Sequence, residues 1–107
     1  MKAIAVVTTV ATRDEARAMA VSLVEQGLAA CAQISEIESF YRWQGVLEHE
    51  SEFRILFKTL EARYAQLEAA IQAQHSYALP AIHAFALEHV SAAYEEWIEG
   101  QCTEKKA

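Results

Sequence analysis

The side chains with the chemistry of a site are His75 and Tyr77, close together in the chain, and Cys31 and Lys58, far apart in it. An imidazole in a polar loop can ligate a soft or borderline metal, and a lone loop histidine serves equally as a hydrogen-bonding strut. His83 and His89 show no spacing with cysteine or carboxylate that makes a tetrahedral site, and read as structural. Cys31 and Lys58 become cross-strand neighbours if Gln44-Gly45 is a hairpin turn, because Trp43 then faces Val46 and Cys31 faces Lys58. A lysine beside a thiol lowers the thiol pKa and makes it a better nucleophile or metal ligand; the plainer alternative is a small sulfur packed at the root of a sheet. Glu36, Glu38, Glu48, Glu50 and Glu52 crowd one stretch. Such a patch gathers hard cations by charge, or it is a solvated face that discourages edge-to-edge aggregation and pairs with Arg42 or Arg54 of a neighbouring copy. There is no nucleophile elbow, phosphate loop, zinc spacing or nucleotide fingerprint in the sequence.

Most of these residues lie on or beside one element. Ala30 to Thr59 reads as a long β-hairpin with Gly45 supplying the positive φ of a tight turn. Its arms of about fourteen residues span roughly 45 Å, more than the roughly 35 Å diameter of a globule of this length. In the second arm Leu47, Phe53, Ile55 and Phe57 alternate with Glu48, Glu50, Glu52, Arg54 and Lys58, a period of two. The first arm changes phase between Ile34 and Ile37, which predicts a β-bulge near Ser35-Glu36. Ile34, Ile37 and Phe40 also fit a helix over 30–40, but nothing caps it. Phe40, Tyr41, Trp43 and Leu47 at the tip lie beyond any core this chain can build, and exposed aromatic clusters mark interfaces.

Ala3 to Val10 is a continuous apolar run, as in a strand covered on both faces. Thr12 and Glu15 form a capping box for a helix over Arg13 to Gln26, closed by Gly27. Thr59 is placed to cap a second helix carrying Leu60, Tyr64, Leu67 and Ile71. His75-Ser76-Tyr77 is a loop, Pro80 bars a helix, and Ala81 to Glu88 is a fourth strand. Ser91 caps a short third helix closed by Gly100, and Gln101 to Ala107 is a polar tail expected to fray. The order β-α-β-β-α-β plus a terminal helix gives an α+β, ferredoxin-like sandwich as a single domain over 1–107. Two right-handed crossovers put both long helices on one face of the sheet and leave the other bare, so copies of the chain are expected to cover it.

The 107 residues are 53% hydrophobic and 22% charged, with a net charge of −6. That composition excludes disorder, and without a basic stripe it excludes nucleic acid as a partner. No apolar run approaches the ~20 residues of a membrane span, and Met1 to Val10 is too short for a secretory signal, so a cytoplasmic location is expected. Cys31 and Cys102 would stay reduced there.

The segments Ala30-Cys31-Ala32-Gln33-Ile34, Tyr41-Arg42-Trp43-Gln44-Gly45, Lys58-Thr59 and His75-Ser76-Tyr77-Ala78-Leu79-Pro80-Ala81-Ile82 resemble, in order and spacing, the signature of the CutA divalent-cation tolerance family. The resemblance covers nearly the whole chain. It implies a homotrimer held by the long hairpins, similar in architecture to the PII signalling proteins, and a non-enzymatic role in tolerance of copper and other divalent cations. A metal or small-ligand site is then expected in the cleft between subunits, near Cys31, Lys58, His75 and Tyr77; the alternative is a PII-like module binding a small anion or metabolite. Some members use a first-strand cysteine together with the histidine of His-x-Tyr as copper ligands. This chain has Thr8 at the matching place and keeps His75. It departs further in having Ser76 where proline is usual, Ala78 and Ala81 where glutamate is common, and Ser35-Glu36 where Pro-Gly is common.

Overall fold

A computed structural model describes residues 2–102. Its elements are β1 (Ala3–Val10), α1 (Arg13–Glu25), β2 (Cys31–Trp43), β3 (Val46–Leu60), a 3-10 turn (Glu61–Arg63), α2 (Tyr64–Gln74), β4 (Ile82–Ala86) and α3 (Ala92–Gln101). The strands form one antiparallel sheet in the order β2-β3-β1-β4. This is the ferredoxin-like arrangement expected from the element order. The expected polar tail, from residue 103 onward, lies outside the described residues.

β1 has no alternation because both of its faces are covered. Ile4, Val6 and Val10 pack with Ile55 and Phe57 of β3 against Met19 and Leu23 of α1 and Leu67 and Ile71 of α2. On the opposite face Ala3, Ala30 and Leu60 pack with Ile98 and Cys102 of the C-terminal helix segment. The second face is therefore not wholly bare, as α3 covers its root. Beyond that cover Phe85, Tyr41 and Trp43 remain exposed.

Local signals set most of the boundaries. The Thr12 hydroxyl accepts from the Glu15 amide at 3.1 Å, and Gly27 takes φ +72 after the helix, the left-handed residue that terminates helices. Ser91 caps α3, accepting from the Tyr94 amide at 3.3 Å. Other expectations give way to tertiary context. Thr59 does not cap α2: β3 continues to Leu60 because that residue pairs with Ala3. The fully buried Thr59 hydroxyl instead donates to the Leu28 carbonyl at 2.7 Å. The 3-10 turn precedes α2, which has no side-chain cap. Gly100 does not close α3; the helix runs through it to Gln101.

The hairpin turns at Gln44 (φ +50) and Gly45 (φ +80), the pair of positive φ values of a tight two-residue turn. Its register is unbroken from Cys31 opposite Lys58 to Trp43 opposite Val46. The expected bulge near Ser35-Glu36 is absent, and the phase change in β2 has another cause. Ile34 packs on the helix side near the core, whereas Ile37, Tyr41 and Trp43 belong to the opposite face of a continuous strand. The apolar side of the ribbon switches because helices cover only its root. The chain measures 45 × 34 × 20 Å.

Candidate functional site

Residues 75–81 leave α2 and return to the sheet as β4, and side-chain ties fix the start of this loop. His75 Nε2 lies 2.9 Å from the Thr9 carbonyl, and the Tyr77 amide donates to His75 Nδ1 at 3.1 Å. Nδ1 is therefore the acceptor, Nε2 carries the proton, and both ring nitrogens are used within the chain. Ser76 donates both its amide and its hydroxyl to the Glu15 carboxylate, each at 3.1 Å. Glu15 thus completes no reciprocal capping box; it ties the first turn of α1 to this loop. A proline at position 76 would have no amide to give, so the serine here is what makes this anchor possible.

The Tyr77 ring lies against His75, centroids 4.9 Å apart, and its hydroxyl donates to Glu52 Oε2 at 2.7 Å. Glu52 is 6% exposed. Farther out, the Tyr41 hydroxyl donates to Glu50 Oε1 at 2.8 Å. Burial, reinforced by the bond to Glu52, pushes the Tyr77 phenol well above its ordinary range. The hydrogen bond to Glu50 pushes Tyr41 up to about 12. Both phenols therefore act as donors to carboxylates and hold their protons.

Between these groups the hairpin and the loop enclose a cleft of about 880 Å³, lined by Glu38, Glu48, Glu50 and Glu52, by Phe40, Tyr41, Trp43 and Tyr77, and by Thr9, Ser39, Ser76, Ala78, Leu79 and Ala81. None of those residues is cationic. A space with carboxylate and aromatic walls suits a cation. Among the described residues no three His, Cys, Asp or Glu side chains gather closely enough to hold a metal ion.

Cys31 and Lys58 are cross-strand partners, in the register that the turn implies. Both meet α3: Cys31 Sγ lies 3.8 Å from the Tyr94 hydroxyl, and Lys58 Nζ lies 5.4 Å above the Tyr94 ring. Within one chain they do not join His75 and Tyr77 in a single cluster. Lys58 is six residues along β3 from Glu52, about 20 Å, and α3 stands over the root end. The four tip residues are all exposed, Phe40 at 64%, Tyr41 at 36%, Trp43 at 42% and Leu47 at 67%, and they divide between the faces. Tyr41 and Trp43 lie on the strand face that carries Glu50 and Glu52, while Phe40 lies on the other, stacked on His49 at 4.1 Å, and still borders the cleft at the edge of the ribbon. Thr8 lies on the helix-facing side of β1, fully buried, and its hydroxyl has no hydrogen-bond partner among the described residues.

Sequence reasoning missed the roles of Glu52 and Glu15. Glu52 looks like one more charge on a polar face; its burial depends on Tyr77 reaching it from a loop 25 residues away. Glu15 satisfies the capping-box pattern, and only proximity to Ser76 reveals the better partner.

The family described as CutA1 divalent ion tolerance protein matches residues 4–101. The divalent-cation tolerance protein CutA of Archaeoglobus fulgidus is 35% identical over 91 residues, covering 85% of this chain and 89% of that protein. The Thermus thermophilus protein of the same name is 35% identical over 94 residues, covering 87% and 91%. Among solved structures, CutA from Synechococcus elongatus superposes with a TM-score of 0.92 at 38% identity, over 95% of this chain and 91% of that one. With the match running from β1 to the end of α3, the chain belongs to the CutA1 divalent-ion tolerance family.

Proposed function

We propose that the protein acts in tolerance of divalent cations, copper among them, as a non-enzymatic homotrimer in the cytoplasm, and that its ligand site is the hairpin cleft where subunits meet. The observation that carries this reading is the cleft itself: four carboxylates without an internal cation, walled by a ribbon whose aromatic tip the chain leaves exposed. Apolar surface left uncovered on a small domain is covered most economically by identical copies. A small anion is disfavoured as the occupant, because the carboxylates repel it.

His75 serves in this reading as a strut that sets the loop, since both its nitrogens are already bonded. Cys31 and Lys58 belong to the root of the sheet under Tyr94, where Lys58 supports α3 and the thiol is packed. Sedimentation equilibrium should return the mass of three chains. Calorimetric titration with divalent cations should show binding that Glu48→Gln weakens and that His75→Ala retains in stoichiometry. Absence of cation binding by the assembled protein removes the cleft from the proposal, and a monomeric mass at all concentrations removes the assembly.

A further inference from the structure

We propose that a neighbouring copy supplies the cation which the inner wall of the cleft lacks, with Arg54 of one copy entering against Glu50 and Glu52 of the next. The proposal rests on the homo-oligomeric reading above and names the contact that completes its site. Along β3, the positions facing away from α1 and α2 run Glu48, Glu50, Glu52, Arg54, Leu56, Lys58. This side of the ribbon is anionic toward the turn and cationic toward the root.

Two members of that row are incompletely paired. Glu52, 6% exposed, accepts from Tyr77 but faces no cationic side chain in any ion pair among the described residues. Arg54 is half-buried and makes no hydrogen bond or ion pair among the described residues. Charges withdrawn from water are retained where an opposite charge meets them. Glu52 and Arg54 stand about 7 Å apart along one strand, side by side on the same face, and Glu52 is turned toward Tyr77. A second copy laid over this face brings its cationic root against the anionic outer half, so that each copy both gives and receives an arginine in a cyclic contact. The planar guanidinium can bridge two carboxylates and lie on the Tyr41 and Trp43 rings that wall the cleft. Arg42 is exposed and belongs to the opposite face, and does not compete for this role.

The test is a charge swap read by sedimentation velocity over a dilution series, with far-UV circular dichroism as a check on folding. Arg54→Glu is expected to raise the protomer concentration at half-dissociation by at least about 30-fold, as expected for truncating one partner of a buried pair. Glu50→Arg should do the same, and the double variant should recover most of the loss. If both single variants assemble like the parent, the inference is overturned while the homo-oligomer stands. If both dissociate and the double variant does not recover, the pairing of Arg54 with Glu50 is overturned. Should Arg54→Glu fail to fold, Arg54→Gln is read in the same series, and unchanged assembly there also overturns it. A parent that is monomeric throughout overturns the homo-oligomeric reading itself. If the assembled parent takes up Zn²⁺ or Mg²⁺ and Glu50→Gln abolishes it, a free cation is the occupant and the arginine is not.

Discussion

Tyr77→Phe removes one oxygen and isolates the bond on which the cleft geometry depends. The phenol donates to Glu52 Oε2 at 2.7 Å, and Glu52 is 6% exposed, so the lost donor is not freely replaced by water. A hydrogen bond to a charged group contributes about 1.5–3 kcal/mol; because Tyr77 itself is half-buried, the lower half of that range, about 1.5–2 kcal/mol, is expected. For a domain of this size the loss lowers the melting temperature by on the order of 10 °C. The assay is thermal unfolding by circular dichroism at one fixed protomer concentration, because assembly makes the midpoint concentration-dependent. The double variant Tyr77→Phe with Glu52→Leu should lose less than the sum of the two single variants, since an unpaired buried carboxylate is the costly state. The bond also has a pH signature. The folded phenol holds its proton above the ordinary value of 10.0, so its contribution is complete below that pH. It is lost as pH rises from there through the folded-state value. Tyr77→Phe should flatten that alkaline fall. A variant within about 0.5 kcal/mol of the parent, the range of ordinary surface substitutions, would refute the reasoning.

Other substitutions test the same structure at different points. Thr8→Val keeps the shape of a fully buried side chain and removes a hydroxyl without a partner among the described residues, so it should stabilise by about 1 kcal/mol in urea unfolding. Ser76→Pro deletes the amide that donates to Glu15 and should cost about 1 kcal/mol; protection of the neighbouring Tyr77 amide from hydrogen exchange should fall with it. Gly45→Ala meets nothing within 4 Å but sits at φ +80, so its cost is purely conformational, about 1 kcal/mol, measurable as a drop in urea midpoint. Thr59→Val removes the donor to the Leu28 carbonyl inside the core, and about 1–3 kcal/mol should be lost.

The secondary structure was legible wherever a local rule had no competitor. Thr12, Gly27, Gln44-Gly45 and Ser91 act at their positions because caps and tight turns are decided by a few adjacent residues. The period of two in β3 set its faces, and the two-residue turn fixed Cys31 opposite Lys58. The family pattern was also readable along the chain, as were the hairpin's length and the exposed apolar tip.

The local rules failed where a distant segment offered a better partner. Thr59 was drawn into β3 by pairing with β1, the capping carboxylate of Glu15 was taken by Ser76, and α3 folded over the root of the second face. The phase change in β2 reflected where helices stop covering the ribbon. The cleft belongs to this second class, because Tyr77 meets Glu52 and His75 meets Thr9 only after the chain has crossed the sheet. Sequence spacing decides which groups are available within a turn or along a strand. Burial and long-range pairing alone decide which of them face the same water-poor space.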